Sequence, residues 1–165
     1  MTLAESVVRV LTDQSLTIAC AETHTGGGIT QSLIRVPGSS RVLGFSAVVY
    51  SDRSKAEVLG VDPSIIQQSG AVSEEAALAM AEGAAALGHA DLGLAVTGVA
   101  GPGGGTPEKP VGMVCFALRT ADRSVTRTCR YGDLGRDSVI DRSVITALEM
   151  VAEHLGNRGY SHVQG

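Results

Sequence analysis

Leu16-Thr17-Ile18-Ala19-Cys20-Ala21-Glu22-Thr23-His24-Thr25-Gly26-Gly27-Gly28 changes character twice along its length. Leu16–Ala21 is a short apolar run, which predicts a buried strand. Glu22–Thr25 is polar, and three glycines then open a segment in which Ile29, Leu33 and Ile34 recur at helical spacing. Glycine lowers intrinsic helix propensity, so packing or backbone access must justify the three at this place. A buried strand, a polar turn and a helix make the repeating unit of an α/β domain.

Working outward, the same alternation recurs. Ala4, Val7, Val8 and Leu11 fall on one face of a helix upstream. Downstream, Pro37-Gly38-Ser39-Ser40 is a turn and Val42–Tyr50 reads as a strand. Ser51-Asp52 can cap a short helix over Arg53–Leu59, and Asp62-Pro63 resembles an N-cap followed by proline at the first helical position. Ser73-Glu74-Glu75 starts a longer helix with Ala77, Met80, Ala81, Ala84 and Leu87 expected inward. Leu92–Thr97 is a further buried strand, opening into the glycine-rich stretch Gly98–Pro110. Met113–Leu118 and Val125–Tyr131 read as a pair of strands joined around Asp122. A last helix carries Ile140, Val144, Ala147, Leu148, Val151 and Leu155 on one stripe, with a loose tail expected from about 157. No linker or repeat divides residues 1–165, so the expectation is one three-layer αβα domain.

Composition narrows the function classes. Apolar residues make up 44% and charged residues 18%, enough for a core and too little charge for a disordered chain. Charged residues interrupt every apolar run well before the ~18 residues a membrane span needs, and nothing reads as a secretory signal. A cytoplasmic location with no membrane partner follows as the expectation. A net charge of -4 and 3% aromatics leave no footprint for coating or stacking on nucleic acid. Cys20, Cys115 and Cys129 are odd in number and lie in apolar runs, as buried reduced thiols do. The histidines at 24, 89, 154 and 162 form no HxH, HExxH or Cys/His cluster, so no metal site is expected. Of 13 basic residues only Lys55 and Lys109 are lysines, and lysine, unlike arginine, can lose its proton when buried.

Polar segments at strand ends are where open α/β sheets place their sites. Thr23 and Thr25 precede Gly26 and Gly27, where free backbone N–H groups could hold an oxyanion or phosphate, although a merely local N-cap hydroxyl would look the same. In Tyr50-Ser51-Asp52-Arg53-Ser54-Lys55, a desolvated lysine can act as a general base with tyrosine assisting, or both can be ordinary surface residues. Gly98 and Gly101 begin a loop that lacks the Walker lysine and leads into a strand, so it is neither a phosphate loop nor a dinucleotide fingerprint. Its glycines could still bring backbone close to a ligand, with Lys109 supplying a point charge. Arg136, just before the last helix, could bind a phosphate or carboxylate. No G-x-S-x-G elbow occurs, and no histidine has the surroundings of a catalytic base.

Taken together, AETHTGG (21–27), YSDRSK (50–55), GAVSEEAA (70–77), VTGVAGPGGGTPEKPVG (96–112) and the Gly132-Asp133 lead-in resemble the CinA C-terminal-domain family, the nicotinamide-nucleotide amidohydrolases. The resemblance covers nearly the whole chain and implies a mixed, about five-stranded sheet between helices. It also implies hydrolysis of nicotinamide mononucleotide to nicotinic acid mononucleotide and ammonia, with no cofactor, by a homo-oligomer. The family's serine nucleophile and its activating tyrosine and lysine fall on Thr23, Tyr50 and Lys55. Thr25, Gly26, Gly27, Gly98, Gly101, Lys109 and Arg136 form the expected substrate-binding set. Three departures stand out. Thr23-His24 replaces the usual Ser-Cys, Asp52 replaces an asparagine, and an insertion-like Leu134-Gly135 alters the GD-x-R ending before Arg136. Because Thr23 replaces that serine, the alternative expectation is a catalytically impaired nucleotide-binding or regulatory domain.

Overall fold

The computed structural model describes the backbone of residues 1–160 and side chains through Gly156. The expected tail from about 157 therefore lies mostly outside the described residues, and the backbone is still helical at Tyr160. Helix α1 (Leu3–Asp13) is followed by β1 (Ile18–Glu22), α2 (Gly28–Ile34), β2 (Leu43–Val48), α3 (Asp52–Leu59), α4 (Pro63–Ser69) and α5 (Glu74–Gly88). Then come β3 (Leu92–Gly98), β4 (Met113–Arg119), β5 (Ser124–Arg130) and α6 (Arg136–Tyr160). The five strands form one mixed sheet in the order β2-β1-β3-β4-β5. The first three strands run parallel, while β4 and β5 are antiparallel to their neighbours. The fold is thus α/β with helices on both faces, as the sequence predicts. No helix among the described residues is long and apolar enough to cross a membrane.

The two faces of the sheet differ in side-chain size, and strand alternation is the cause. Ile18, Cys20, Leu92, Leu94, Val96, Val114, Phe116 and Leu118 point to the side covered by α1, α2 and α6. Ala19, Ala21, Ala95, Cys115 and Ala117 point to the side covered by α5, which answers with Ala77, Ala81 and Ala84 around Met80. With so little side chain between them, α5 lies almost backbone to backbone on the sheet. A methyl placed on Gly93 would stand 2.0 Å from the Ala81 carbonyl oxygen, and one on Gly83 would stand 2.1 Å from that of Leu59. Leu87, expected inward, is instead 49% exposed. The adjacent Gly88 takes the inward place, because a methyl there would already be 2.7 Å from Phe45 Cβ.

The small-residue face yields a stability prediction with an internal control. Gly93→Ala forces a methyl into a backbone oxygen and should cost about 2–3 kcal/mol, read as a lowered urea midpoint. Gly156→Ala sits in helix α6 with nothing within 4 Å of the new methyl. It should raise stability by roughly 0.5–1 kcal/mol.

Candidate active site

The carboxyl ends of β1, β2 and β3 open at the same edge of the sheet, and the first turn of α6 joins them there. Thr23 and His24 follow β1 directly. Tyr50 lies between β2 and α3, while Thr97 and Gly98 end β3. Helix α3 is started by Ser51, whose hydroxyl accepts the Ser54 N–H at 3.0 Å while Ser54 Oγ accepts the Ser51 N–H at 3.1 Å. This reciprocal cap fixes the first turn, and Lys55 on that turn is carried inward to 2% exposure. Thr23, His24, Tyr50, Lys55, Gly98, Gly101 and Arg136 all line one cavity of about 290 Å³. Residues separated by more than a hundred positions thus share one opening.

The electrostatics of this cavity are set by burial. Desolvation lowers the Lys55 pKa below the usual lysine range, and the Asp52 carboxylate, 3.7 Å from Nζ, pulls it partly back. Thr23 Oγ1 is buried and has no hydrogen-bond partner. Arg136 donates from Nη1 to the Gly101 carbonyl at 2.7 Å and from Nη2 to the Tyr50 hydroxyl at 3.0 Å. It therefore ties the glycine-rich loop to the β2–α3 corner across the cavity. Tyr50 is 63% exposed and forms part of the rim. Gly98 and Gly101 are required by packing as well as by access. A methyl on Gly98 would meet Val114 at 2.8 Å and His24 Cε1 at 2.9 Å, and Gly101 holds φ at +83°.

Three expected ligand residues and Lys109 lie elsewhere. Thr25, Gly26 and Gly27 line a separate space of about 590 Å³ between α2 and α6. The Gly26 N–H donates to the Thr23 carbonyl at 3.1 Å, and the Thr25 hydroxyl donates to the Glu22 carboxylate. Lys109 does not line the cavity that holds Lys55. Its amine donates to the carbonyls of Ser69 and of Val72, the latter at 2.6 Å, and so pins the long loop to the α4–α5 connection.

Two further residues are essential to this geometry, and sequence reasoning missed their roles. Glu22 is fully buried at the end of β1 and receives the Ile29 N–H at 3.1 Å, the Thr30 N–H at 2.8 Å and the Thr30 hydroxyl at 2.7 Å. Gly27 stands at the N-cap of α2 with no side chain to cap it, and Glu22 supplies the cap from the preceding strand. An acid just ahead of a glycine-opened helix was the available signal. His24 is 6% exposed, and its Nε2 lies 2.8 Å from Ser143 Oγ on α6. Nothing local announces a partner so distant in sequence. Burial, reinforced by the Arg136 charge, lowers the His24 pKa to about 4.

The His24 shift has a consequence for stability. Above pH 6.5 the ring is neutral whether the chain is folded or unfolded. As pH falls from 6.5 towards 4 the unfolded chain takes up a proton that the folded chain refuses, so stability drops. The loss attributable to His24 should reach about 3 kcal/mol by pH 4. Urea midpoints across this range should fall less steeply in His24→Gln than in the parent, and equal slopes would refute the assignment.

Comparison with known proteins identifies the family. The family model described as the CinA C-terminal domain matches residues 1–155. A CinA-like protein of Syntrophotalea carbinolica is 47% identical over 157 residues, covering 94% of this chain and 38% of that protein. One from Mycobacterium tuberculosis is 45% identical over 152 residues, covering 92% of this chain and 35% of that protein. The chain therefore spans little more than a third of the length of these curated relatives. Among solved structures, a competence/damage inducible protein from Agrobacterium tumefaciens superposes with a TM-score of 0.87 at 40% identity, covering 93% of this chain and 95% of that one. A CinA superfamily protein from Klebsiella pneumoniae superposes with a TM-score of 0.90 at 29% identity, covering 94% and 96%. The chain belongs to the CinA C-terminal domain family.

Proposed function

We propose that the cavity hydrolyses the carboxamide of nicotinamide mononucleotide, giving nicotinic acid mononucleotide and ammonia. One observation carries this reading. A buried lysine of lowered pKa and a buried threonine hydroxyl without a partner line the same cavity. Neutral Lys55 takes the Thr23 proton, and Oγ1 attacks the carboxamide carbon. The proton is returned to the departing nitrogen, which leaves as ammonia. Water then attacks the acyl group on Thr23, releasing the acid and restoring the hydroxyl. The Tyr50 phenol accepts from Arg136, which leaves its own proton to donate towards the oxyanion or along the proton path. Arg136 supplies the positive charge for the phosphate. Lys109 is left out of the ligand set, since its amine is committed to two carbonyls.

A binding-only reading has one observation in its favour: no hydrogen bond joins Thr23 Oγ1 to Lys55 or Tyr50. The two readings separate in a single assay, ammonia release from nicotinamide mononucleotide. Activity in the parent that vanishes in Thr23→Ala supports the hydrolase. Silence in the parent with activity gained in Thr23→Ser supports a domain that binds without turning over.

The lysine role makes its own prediction. Lys55→Arg keeps the charge but cannot give it up, and should lower kcat about 100-fold or more. The parent rate should rise with pH as Lys55 loses its proton, levelling off below the ordinary lysine range. Asp52→Asn removes the charge that holds the proton on Lys55, so that limb should move to lower pH. A limb that stays in place in Asp52→Asn would assign it to another group.

A further inference from the structure

His24 makes a contact pattern that fixes the state of its ring. Ser143 Oγ has a single proton, and it is donated to the Val139 carbonyl at 2.7 Å. Toward His24, 2.8 Å away, Ser143 can therefore only accept. The ring proton must sit on Nε2, and Nδ1 is left as a bare lone pair. Nδ1 is buried with no hydrogen-bond partner, as is Oγ1 of the neighbouring Thr23. The Cε1 corner beside it faces Gly98, at 2.9 Å from where a methyl there would stand, and both residues line the catalytic cavity. A buried acceptor without a donor is costly unless a ligand completes it.

The charge of the cavity shows what such an acceptor is for. Arg136 lines it, Lys55 carries a second positive charge once it has taken up the Thr23 proton, and Asp52 is the only carboxylate among its lining residues. On charge alone, this surface would hold the carboxylate of a product more tightly than the uncharged carboxamide of a substrate. A lone pair that cannot become a donor reverses that order locally. It accepts an N–H from the carboxamide and repels the oxygens of a carboxylate, which offer no proton. We propose that His24 is the residue that distinguishes the carboxamide substrate from the carboxylate product, its Nδ1 held as an obligate acceptor by Ser143. This rests on the amidohydrolase reading and adds a specificity determinant to it. Burial, reinforced by the Arg136 charge, keeps the ring unprotonated and so an acceptor throughout the neutral range.

Binding measured without turnover tests the assignment. Nicotinamide mononucleotide and nicotinic acid mononucleotide would be titrated calorimetrically into the Thr23→Ala chain at pH 7. The amide should bind about tenfold or more tightly than the acid, as expected where a polar site rejects a ligand that leaves it unpaired. Adding His24→Phe should erase the preference, whereas His24→Gln, which retains an acceptor, should keep part of it. Adding Ser143→Ala leaves the histidine but frees its tautomer, and should weaken the preference. Equal binding of amide and acid to the Thr23→Ala chain overturns the role of His24 and leaves the hydrolase reading intact. Full preference retained in His24→Phe does the same. If neither nucleotide binds, the hydrolase reading fails and the specificity role falls with it. The comparison of the two nucleotides on the Thr23→Ala chain needs neither the His24 nor the Ser143 variant, so misfolding of those variants does not remove the test.

Discussion

A carboxylate with no exposure to water organises the cavity-bearing edge of this domain. Glu22 ends a strand whose every residue is buried, and a charge in that position is tolerable only when it is fully hydrogen-bonded. The partners come from one direction. Two are backbone N–H groups of α2's first turn, and two are threonine hydroxyls on the turn and helix that follow the strand. Satisfying Glu22 therefore fixes how the chain leaves β1, and that exit contains Thr23 and His24. Removing the charge would therefore do more than uncap a helix, because the turn carrying Thr23 lies between Glu22 and the groups that bind it.

The sheet gives this edge its rigidity through the contrast between its faces. Bulky side chains on one side form the larger core, into which α1, α2 and α6 fit by ordinary interdigitation. On the other side alanine and glycine let α5 approach until backbone atoms are in contact, leaving no room for relaxation. Helix α5 starts at Ser73, next to Ala71 and Val72 in the cavity wall, and Thr97 Oγ1 at the end of β3 donates to the Ala71 carbonyl at 2.9 Å. The tight face thereby sets the position of one wall of the site.

Much of the architecture was legible in the sequence because its signals are local. Apolar runs at 16–21 and 92–97, helix caps at Ser51, Asp62 and Ser73, and the strand pair after Met113 all announce themselves within a few residues. Lys55 was legible as a candidate for a different reason, since a chain so poor in lysine draws attention to each one. The inward faces of the helices were readable in outline, yet Leu87 was misjudged because a glycine, invisible to an apolar pattern, holds the inward position beside it. What could not be read were pairings across the fold. Lys109 looks like a ligand charge until Ser69 and Val72 are seen around it, and His24 looks isolated until α6 brings Ser143 to its ring.

Those pairings also bear on whether the cavity could be divided. The bonds that wall it join residues 26, 35, 86 and 119 positions apart, linking Thr97 to Ala71, Arg136 to Gly101 and to Tyr50, and His24 to Ser143. Arg136 and Ser143 both arrive on α6, far along the chain from the strands whose ends they meet. The cavity is therefore a property of the completed fold, and a fragment ending before α6 would lose one of its walls outright.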